Sequence, residues 1–467
     1  MVILDSQVTS FADGSVWNAV LQFCVIGTAL LVGNILRHKI PYLKKSLVPS
    51  ALLGGAAILI LKGLFAYNIV DKAAMEMVTY HALGLGFVAL ALKNNRIQSK
   101  SSSMTVIETG AVTASTYVIQ GIVGLLVTIP LFYFFKLIFY PSGMLLPMGF
   151  GQGPGQALNF GVIFSGHAAE QNIDFAGADF GLSIAAIGFI AGSIIGVIYL
   201  SHLKRKGIVK QQQLDERHNT KLTDYVEPNE IPDSDSIDKL SVQMCLVLLV
   251  YLLVYLFTEF VQELDLGDFG TKTLKPLLWG FNFLTGTLFG IFVKWIMNKF
   301  KRAKILEREY VNNYLLNRIS GFFFDVMIVA GTAAIDFKDF GGFIVPFVLV
   351  CVLGALATFL YLRAASRHLF KGYENEGFLS MFGMLTGTAS NGMILLREID
   401  PKFETPAANN LVLQNFPAIL LGFPILLLMG FAPLSFTNTI ITFVILVAIF
   451  IILNLFIFRR KIWKKKK

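Results

Sequence analysis

The chain has 467 residues, of which 55% are hydrophobic and 15% are charged, and its mean hydropathy is +0.66. A soluble globular chain carries roughly 25% charged residues, so this composition excludes the ordinary soluble classes and predicts an integral membrane protein. The net charge of +9 would suggest nucleic acid in a soluble chain. In a membrane chain, basic residues mark cytoplasmic loops, and we expect no nucleic-acid partner.

The first apolar run, residues 16–36, follows a polar segment, 1–15, that contains no Lys or Arg. A signal peptide carries its basic residues before the apolar run, whereas here the first one, Arg37, comes after it. This order predicts a membrane span with the N-terminus outside. Four more runs have about the length that crosses a hydrocarbon core. They cover residues 48–67, 73–92, 105–135 and 180–200.

A polar, glycine-rich stretch interrupts this pattern and reads GFGQGPGQALN from Gly149 to Asn159. Glycines allow sharp turns and close backbone approach, and Pro154 disfavours helical geometry at Gly153. Irregular backbone persists in lipid only where protein buries it or it lines a watery cavity. We therefore predict a re-entrant hairpin over residues 143–166, with the helix resuming near Ala157.

The longest polar segment, residues 207–238, is rich in Gln and acidic residues. Such a composition is typical of a flexible linker, and we interpret it as a cytoplasmic connection between two halves. Its acidic residues offer the alternative of a partner-binding segment.

The second half repeats the pattern of five runs and one glycine-rich break. The break, from Phe382 to Asn391, predicts a second hairpin over 377–396. One further run, 437–458, has no counterpart in the first half and precedes a basic tail, 459–467. The five runs cover residues 240–261, 276–297, 314–335, 343–362 and 407–431.

Every predicted inner loop is basic and every predicted outer loop is poor in Lys and Arg. This alternation predicts an all-α polytopic membrane protein with a cytoplasmic C-terminus. Its two repeats, 16–206 and 239–432, begin on opposite sides, which makes them inverted, with hairpins entering from opposite faces.

The two breaks contain the candidate binding residues. Free N–H groups where a helix resumes favour a carboxylate, and the carbonyl, hydroxyl and amide oxygens suit Na⁺ or a substrate amine. The alternatives are a glycine kink in the first break and Ser/Thr packing between helices in the second. The candidate substrate-binding residues are Gly151, Gln152, Gly153, Gly155, Gln156, Asn159, Thr386, Gly387, Thr388, Ser390 and Asn391.

Single polar residues inside the apolar runs add further candidates. An intramembrane carboxylate such as Asp325 is a functional candidate by default: a sodium ligand, a proton carrier or a partner of Arg318. Glu108 and Lys62 are expected to extend toward the membrane surface. The candidate sodium ligands are Asp325, Thr388, Asn391 and Asn415, although Asn415 suits a core hydrogen bond equally well.

The order of these elements, over residues 16–431, resembles the bacterial sodium/glutamate symporter family. The resemblance rests on the run from Gly149 to Phe164 with the glycine-rich run after it, and on the run from Phe382 to Asn391. It also rests on the opening run with the Tyr42–Pro49 segment. The resemblance implies a homodimer, a mobile transport domain that holds both hairpins, and sodium-coupled uptake of an acidic amino acid.

The loops depart from the family pattern. Gln152, Pro154 and Gln156 stand where the family usually reads Gly-Gly-His-Gly-Thr. Thr386-Gly-Thr388 stands near the family's Gly-Pro-Thr-like core. These departures bear on the substrate more than on the fold.

Three other functions remain open from the sequence. One is a transporter of another small mono- or dicarboxylate, coupled to sodium or, through Asp325, to protons. A passive channel is the second. The third, an intramembrane enzyme, needs a convergent acid, His or Ser–base cluster, and the sequence contains no HExxH motif or paired helical carboxylates. We expect no enzymatic activity.

Overall fold

The computed structural model describes residues 14–65, 70–93, 103–207, 236–265, 267, 275–280, 282–305, 310–336, 342–400 and 404–459. Most of the predicted N-terminal segment, most of the linker and nearly all of the basic tail lie outside the described residues.

The described part of the first half is helical. The helices are α1 Gly14–Lys39, α2 Pro41–Ser46, α3 Ser50–Phe65, α4 Lys72–Leu92, α5 Ser103–Phe135, α6 Pro154–Glu170 and α7 Gly177–Arg205. Between α5 and α6, the chain forms only single turns, as the first break predicted.

The described part of the second half is helical as well. The helices are α8 Ser236–Glu263, α9 Lys275–Gly280, α10 Asn282–Arg302, α11 Asn313–Ala334, α12 Ile344–Leu369, α13 Glu374–Leu385, α14 Ala389–Arg397, α15 Ala407–Leu413, α16 Asn415–Phe431 and α17 Phe436–Ile457. Within the described ranges, nine helices are long and apolar enough to cross a membrane. Together with the composition, they make this an α-helical multi-pass membrane protein.

Several boundaries differ from the sequence prediction, and proline explains two of them. Helix α6 begins at Pro154, three residues before the predicted Ala157. Proline suits a first helical position because its ring presets φ and no N–H is needed there. The predicted span 407–431 is divided near Gln414 into α15 and α16. Pro417 has no N–H to donate to the Leu413 carbonyl four residues earlier.

The helices pack as two bundles. In one bundle, α3 packs on α1 and α11, α10 packs on α8 and α4, and α4 packs along α11. Lys294 of α10 donates to the carbonyl oxygens of Ala91 and Lys93, at 2.7 and 2.8 Å, at the C-terminal end of α4. A cation at this end of a helix satisfies carbonyls that have no helical partner. The other bundle contains α5, α12 and α16, with α17 along α5.

Polar contacts fix the C-terminal helix, α17, to its bundle. Arg459, just after α17, lies 2.6 Å from a carboxylate oxygen of Glu108 on α5. Asn454 donates to Ser115 at 2.9 Å and accepts from Tyr361 of α12 at 3.1 Å. The prediction that Glu108 extends toward the membrane surface was therefore wrong. Its side chain is buried, 2% exposed, because it forms an ion pair with Arg459, 351 residues later in the sequence.

Candidate functional site

The first break forms a tight turn between α5 and α6. A 3₁₀ segment, Tyr140–Met144, leads through one helical turn to a π-helical turn, Met148–Gln152. Gly153 follows with φ of +84°, a left-handed conformation that glycine adopts without a Cβ clash. We call Met148–Gly153 the first loop tip.

The second break separates α13 from α14. Helix α13 ends at Leu385, and Thr388 is extended, with φ of −138°, as the residue that precedes α14. A methyl group at Gly387 would lie 2.6 Å from the Asn391 amide nitrogen and 2.9 Å from the Phe189 ring, so a larger residue would displace these side chains. We call Thr386–Thr388 the second loop tip.

The two loop tips lie next to each other, although more than 230 residues separate them in sequence. A methyl group at Gly153 would lie 3.7 Å from Thr388 Cγ2 and 3.9 Å from the Gly387 carbonyl oxygen. Gly153 is the N-cap of α6, and Thr388 is the N-cap of α14. The N-termini of two helices therefore lie close together, with the Gly153 end buried and the Thr388 end half-buried.

This meeting point favours negative charge. The first N–H groups of a helix have no helical acceptor, and the helix dipole adds a partial positive charge there. Neither N-cap supplies a side-chain oxygen to these N–H groups, since Gly153 has no side chain and the Thr388 hydroxyl makes no capping bond. A carboxylate between the tips would interact favourably with both termini.

Gln156 and Asn391 occupy equivalent positions in the two helices, three residues after each N-cap. Their side chains are buried, with Gln156 1% and Asn391 4% exposed. All four side-chain amide atoms have no hydrogen-bond partner among the described residues. Buried polar groups are nearly always paired, and each unpaired one costs about 1–3 kcal/mol. Two such amides beside two helix N-termini are typical of groups that bind a polar ligand.

Helix α5 supports both loop tips from one side. The Tyr117 hydroxyl donates to the Gly151 carbonyl oxygen at 3.3 Å. The Gln120 amide nitrogen donates to Leu385 at 2.9 Å and to Thr358 of α12 at 3.0 Å, while its Oε1 has no partner among the described residues. Neither residue was predicted from the sequence. For Gln120 a signal was available, since its amide lies in the middle of a predicted span.

Other predicted residues of the first break surround its loop tip. Gln152 is half-buried on the tip itself. Gly155, in the first turn of α6, faces Leu83 of α4. Asn159 points elsewhere, because its amide donates to the Gly280 carbonyl oxygen of α9 at 2.9 Å.

In sequence, Thr386 precedes and Ser390 follows the two residues of the second hairpin that lie near Gly153. Thr386 donates to Phe382 at 2.7 Å and packs against Gly188 and Gly192 of α7. The backbone of Ser390 is in the first turn of α14, and its side chain lies outside the described residues.

Two predicted sodium ligands do not join the loop tips. Met327 of α11 faces Gly153, with its Cε 3.9 Å from the methyl position. Asp325 comes two residues earlier and is exposed. Successive helical residues turn by about 100°, which directs Asp325 to nearly the opposite face of α11. Asn415 is exposed at the start of α16 and accepts from Gln414 at 3.1 Å.

In the described part of the chain, no group of three or more His, Cys, Asp or Glu side chains converges. The oxygens near the loop tips belong instead to backbone carbonyls, amides and hydroxyls. Comparison of the chain with protein-family models and with curated proteins finds no match.

Proposed function

We propose that the protein is a secondary active transporter that couples the uptake of glutamate, or a similar acidic amino acid, to sodium. The observation that carries this proposal is the meeting of two helix N-termini beside four unpaired amide atoms. The resemblance to sodium/glutamate symporters adds the ion and the substrate class.

The substrate carboxylate would accept hydrogen bonds from the first N–H groups of α6 and α14 and from the Gln156 and Asn391 amides. Sodium prefers oxygen ligands, which the loop-tip carbonyls, the Thr388 hydroxyl and Asn391 Oδ1 could supply. Coupling requires only that each ligand favours the binding of the other, and the two effects are equal by linkage.

Helix packing supports the proposed inverted repeat. If α1, α3, α4 and α5 correspond to α8, α10, α11 and α12, each contact has a counterpart. The α1–α3 contact matches α8–α10, and α3–α11 matches α10–α4. The α4–α11 and α5–α12 pairs map onto themselves, as pairs across a pseudo-two-fold axis do.

The hairpins differ in their surroundings, which supports alternating access by an elevator-like movement. Both hairpins pack on α7, but α6 also packs on α4 and α11, whereas α14 also packs on α13 and α15. In an inverted repeat, the two hairpins would exchange these environments between states. With the first hairpin entering from outside, this conformation would be closed outside and open toward the cytoplasm.

The remaining features of the proposal follow from the sequence and the resemblance. They are a homodimer in the bacterial inner membrane, an outside N-terminus and a cytoplasmic C-terminus. Because the site offers neutral amides and N–H groups, another small mono- or dicarboxylate would fit the same chemistry. The substrate test must therefore include such acids.

The direct test is uptake of labelled L-glutamate into proteoliposomes under an inward sodium gradient or an equal potassium gradient. We expect glutamate to accumulate inside the vesicles above its external concentration only with the sodium gradient. Unlabelled acidic amino acids should compete with this uptake. The Gln156→Leu variant should lose this uptake. Equal uptake under both gradients would contradict sodium coupling. Sodium-driven uptake of another labelled carboxylate, without uptake of glutamate, would change the substrate class.

A further inference from the structure

An apolar groove lies between α7 and α12, away from the loop tips. Its volume is about 720 Å³, within the range of roughly 300–1,000 Å³ that is typical of ligand pockets. The α7 side contributes Ile195 and Ile198, and the α12 side contributes Cys351, Ala355 and Phe359. Such a lining favours hydrocarbon rather than a polar solute.

Three basic side chains line one end of this groove. They are His202 of α7 and Arg363 and Arg367 of α12. Arg363 is oriented by a 3.2 Å hydrogen bond to Asn375 and lies 5.2 Å from the Tyr199 ring centroid. His202 and Arg367 are exposed.

Glu374 is near enough to Arg363 for an electrostatic attraction, but the two side chains form no salt bridge. The described residues form no salt bridge of 4.0 Å or less to Arg363 or Arg367. The basic end therefore retains capacity for an anion.

We propose that the groove binds one phospholipid with an anionic headgroup. An acyl chain would lie between α7 and α12, and the phosphate would lie at His202, Arg363 and Arg367. The lining of α7 from Ile187 to His202 rises about 22 Å at 1.5 Å per residue. This length exceeds half of a roughly 30 Å hydrocarbon core, which leaves room for one leaflet and its headgroup region.

The charge pattern favours lipid over a second copy of the chain. Two copies in one membrane share their orientation, so a symmetric contact through this groove would bring the two basic ends together at one depth. An anionic lipid neutralises them instead. Basic pockets between transmembrane helices are a recognised site for anionic headgroups.

The test is native mass spectrometry of the full-length protein in detergent, titrated with phosphatidylglycerol or with phosphatidylcholine of identical acyl chains. We expect one retained phosphatidylglycerol per chain and weaker retention of phosphatidylcholine. Because a basic residue near anionic lipid contributes roughly a fivefold affinity change, Arg367→Gln should weaken phosphatidylglycerol retention by about that factor. Equal retention of both lipids would overturn the proposal.

Matched variants distinguish the groove from general surface charge. Lys204→Gln removes an exposed charge from the same end of α7, outside the groove lining, and should leave retention unchanged. Ile198→Trp should reduce lipid retention by filling the groove, whereas Ile194→Trp, on an exposed α7 position outside its lining, should not. Equal losses within either pair would overturn the proposal.

Two further arms test the alternative occupants. Glycerol phosphate has the headgroup chemistry without chains and should not displace the lipid; full displacement would identify a soluble-anion site. Loss of a dimer in Ile198→Trp, with lipid retention unchanged, would show that a second copy covers the groove.

Discussion

At the residue scale, Gln156 and Asn391 distinguish a ligand site from a structural network. Both amides are buried, and neither has a partner among the described residues. Gln414 gives the opposite case in the same protein: it is fully buried, accepts from Thr113 at 2.8 Å and donates to Asn415. Stability and function should therefore respond in opposite ways at Gln156 and Gln414.

We predict that Gln156→Leu leaves the free energy of unfolding unchanged or raises it by about 1 kcal/mol, because it removes an unpaired buried amide. The same substitution should abolish sodium-dependent glutamate uptake. Thermal unfolding in detergent and proteoliposome uptake measure the two effects.

Gln414→Leu is the matched control. It should lower the free energy of unfolding by about 1 kcal/mol, since it breaks the 2.8 Å hydrogen bond from Thr113 and leaves that hydroxyl only the longer 3.2 Å contact with the Thr109 carbonyl oxygen. Equal destabilisation of both variants would contradict a ligand role for Gln156.

Gly153 gives a second prediction at this scale. Gly153→Ala should destabilise by about 1–2 kcal/mol, because φ of +84° is unfavourable for a residue with a Cβ. The methyl group itself has room, so the cost arises from the backbone. Gly166→Ala, in the same helix α6 with nothing within 4 Å, should instead stabilise by about 0.5–1 kcal/mol. Chemical unfolding of the two variants provides the comparison, and a neutral Gly153→Ala would contradict the turn geometry.

At the element scale, an ionic contact joins the start of α7 to the bundle that contains α4 and α11. Asp179 of α7 lies 2.6 Å from Lys72 of α4 and accepts from the backbone N–H of Asp336 at 2.8 Å. The Asp179 side chain is only 3% exposed, so water screens this pair weakly. A second pair, Lys62–Asp336, is longer at 3.6 Å, and its carboxylate is more accessible, since the Asp336 side chain is 25% exposed.

A double-mutant cycle with Lys72→Met and Asp179→Asn should give a coupling of about 1–3 kcal/mol. The Lys62→Met and Asp336→Asn cycle should give less than about 1 kcal/mol. Thermal or chemical unfolding in detergent supplies the free energies. Equal couplings in the two cycles would contradict the difference in burial.

The elements also show which features the sequence could predict. Apolar run length predicted most of the helices, and clustered glycines predicted both breaks, because each signal is local. Contacts between distant helices produce no local signal: Asn159 bonds to Gly280, and Asp325 lies on the face of α11 that points away from Gly153. The equivalence of Gln156 and Asn391 emerges only once the first residues of α6 and α14 are known.

At the scale of the whole molecule, α17 is the element that has no counterpart in the proposed repeat. The Glu108–Arg459 pair ties its end to α5. Arg459→Gln should destabilise the protein by about 1–3 kcal/mol, because it removes a cation that lies 2.6 Å from a buried carboxylate.

Adding Glu108→Gln to Arg459→Gln should recover much of the lost stability, since a neutral amide then replaces the buried carboxylate. Thermal unfolding of the single and double variants tests this expectation. A double variant no more stable than Arg459→Gln alone would contradict the role of the pair.

The central claim is that the two loop tips form one joint site for a carboxylate and sodium. The most direct measurement is equilibrium binding of labelled L-glutamate to the purified protein across a sodium titration. We predict that sodium raises glutamate affinity at least tenfold, or about 1.4 kcal/mol of coupling, and that glutamate raises sodium affinity by the same factor. Gln156→Leu and Asn391→Leu, on different hairpins, should each remove glutamate binding. Glutamate binding that is independent of sodium, or that persists in both variants, would contradict the claim.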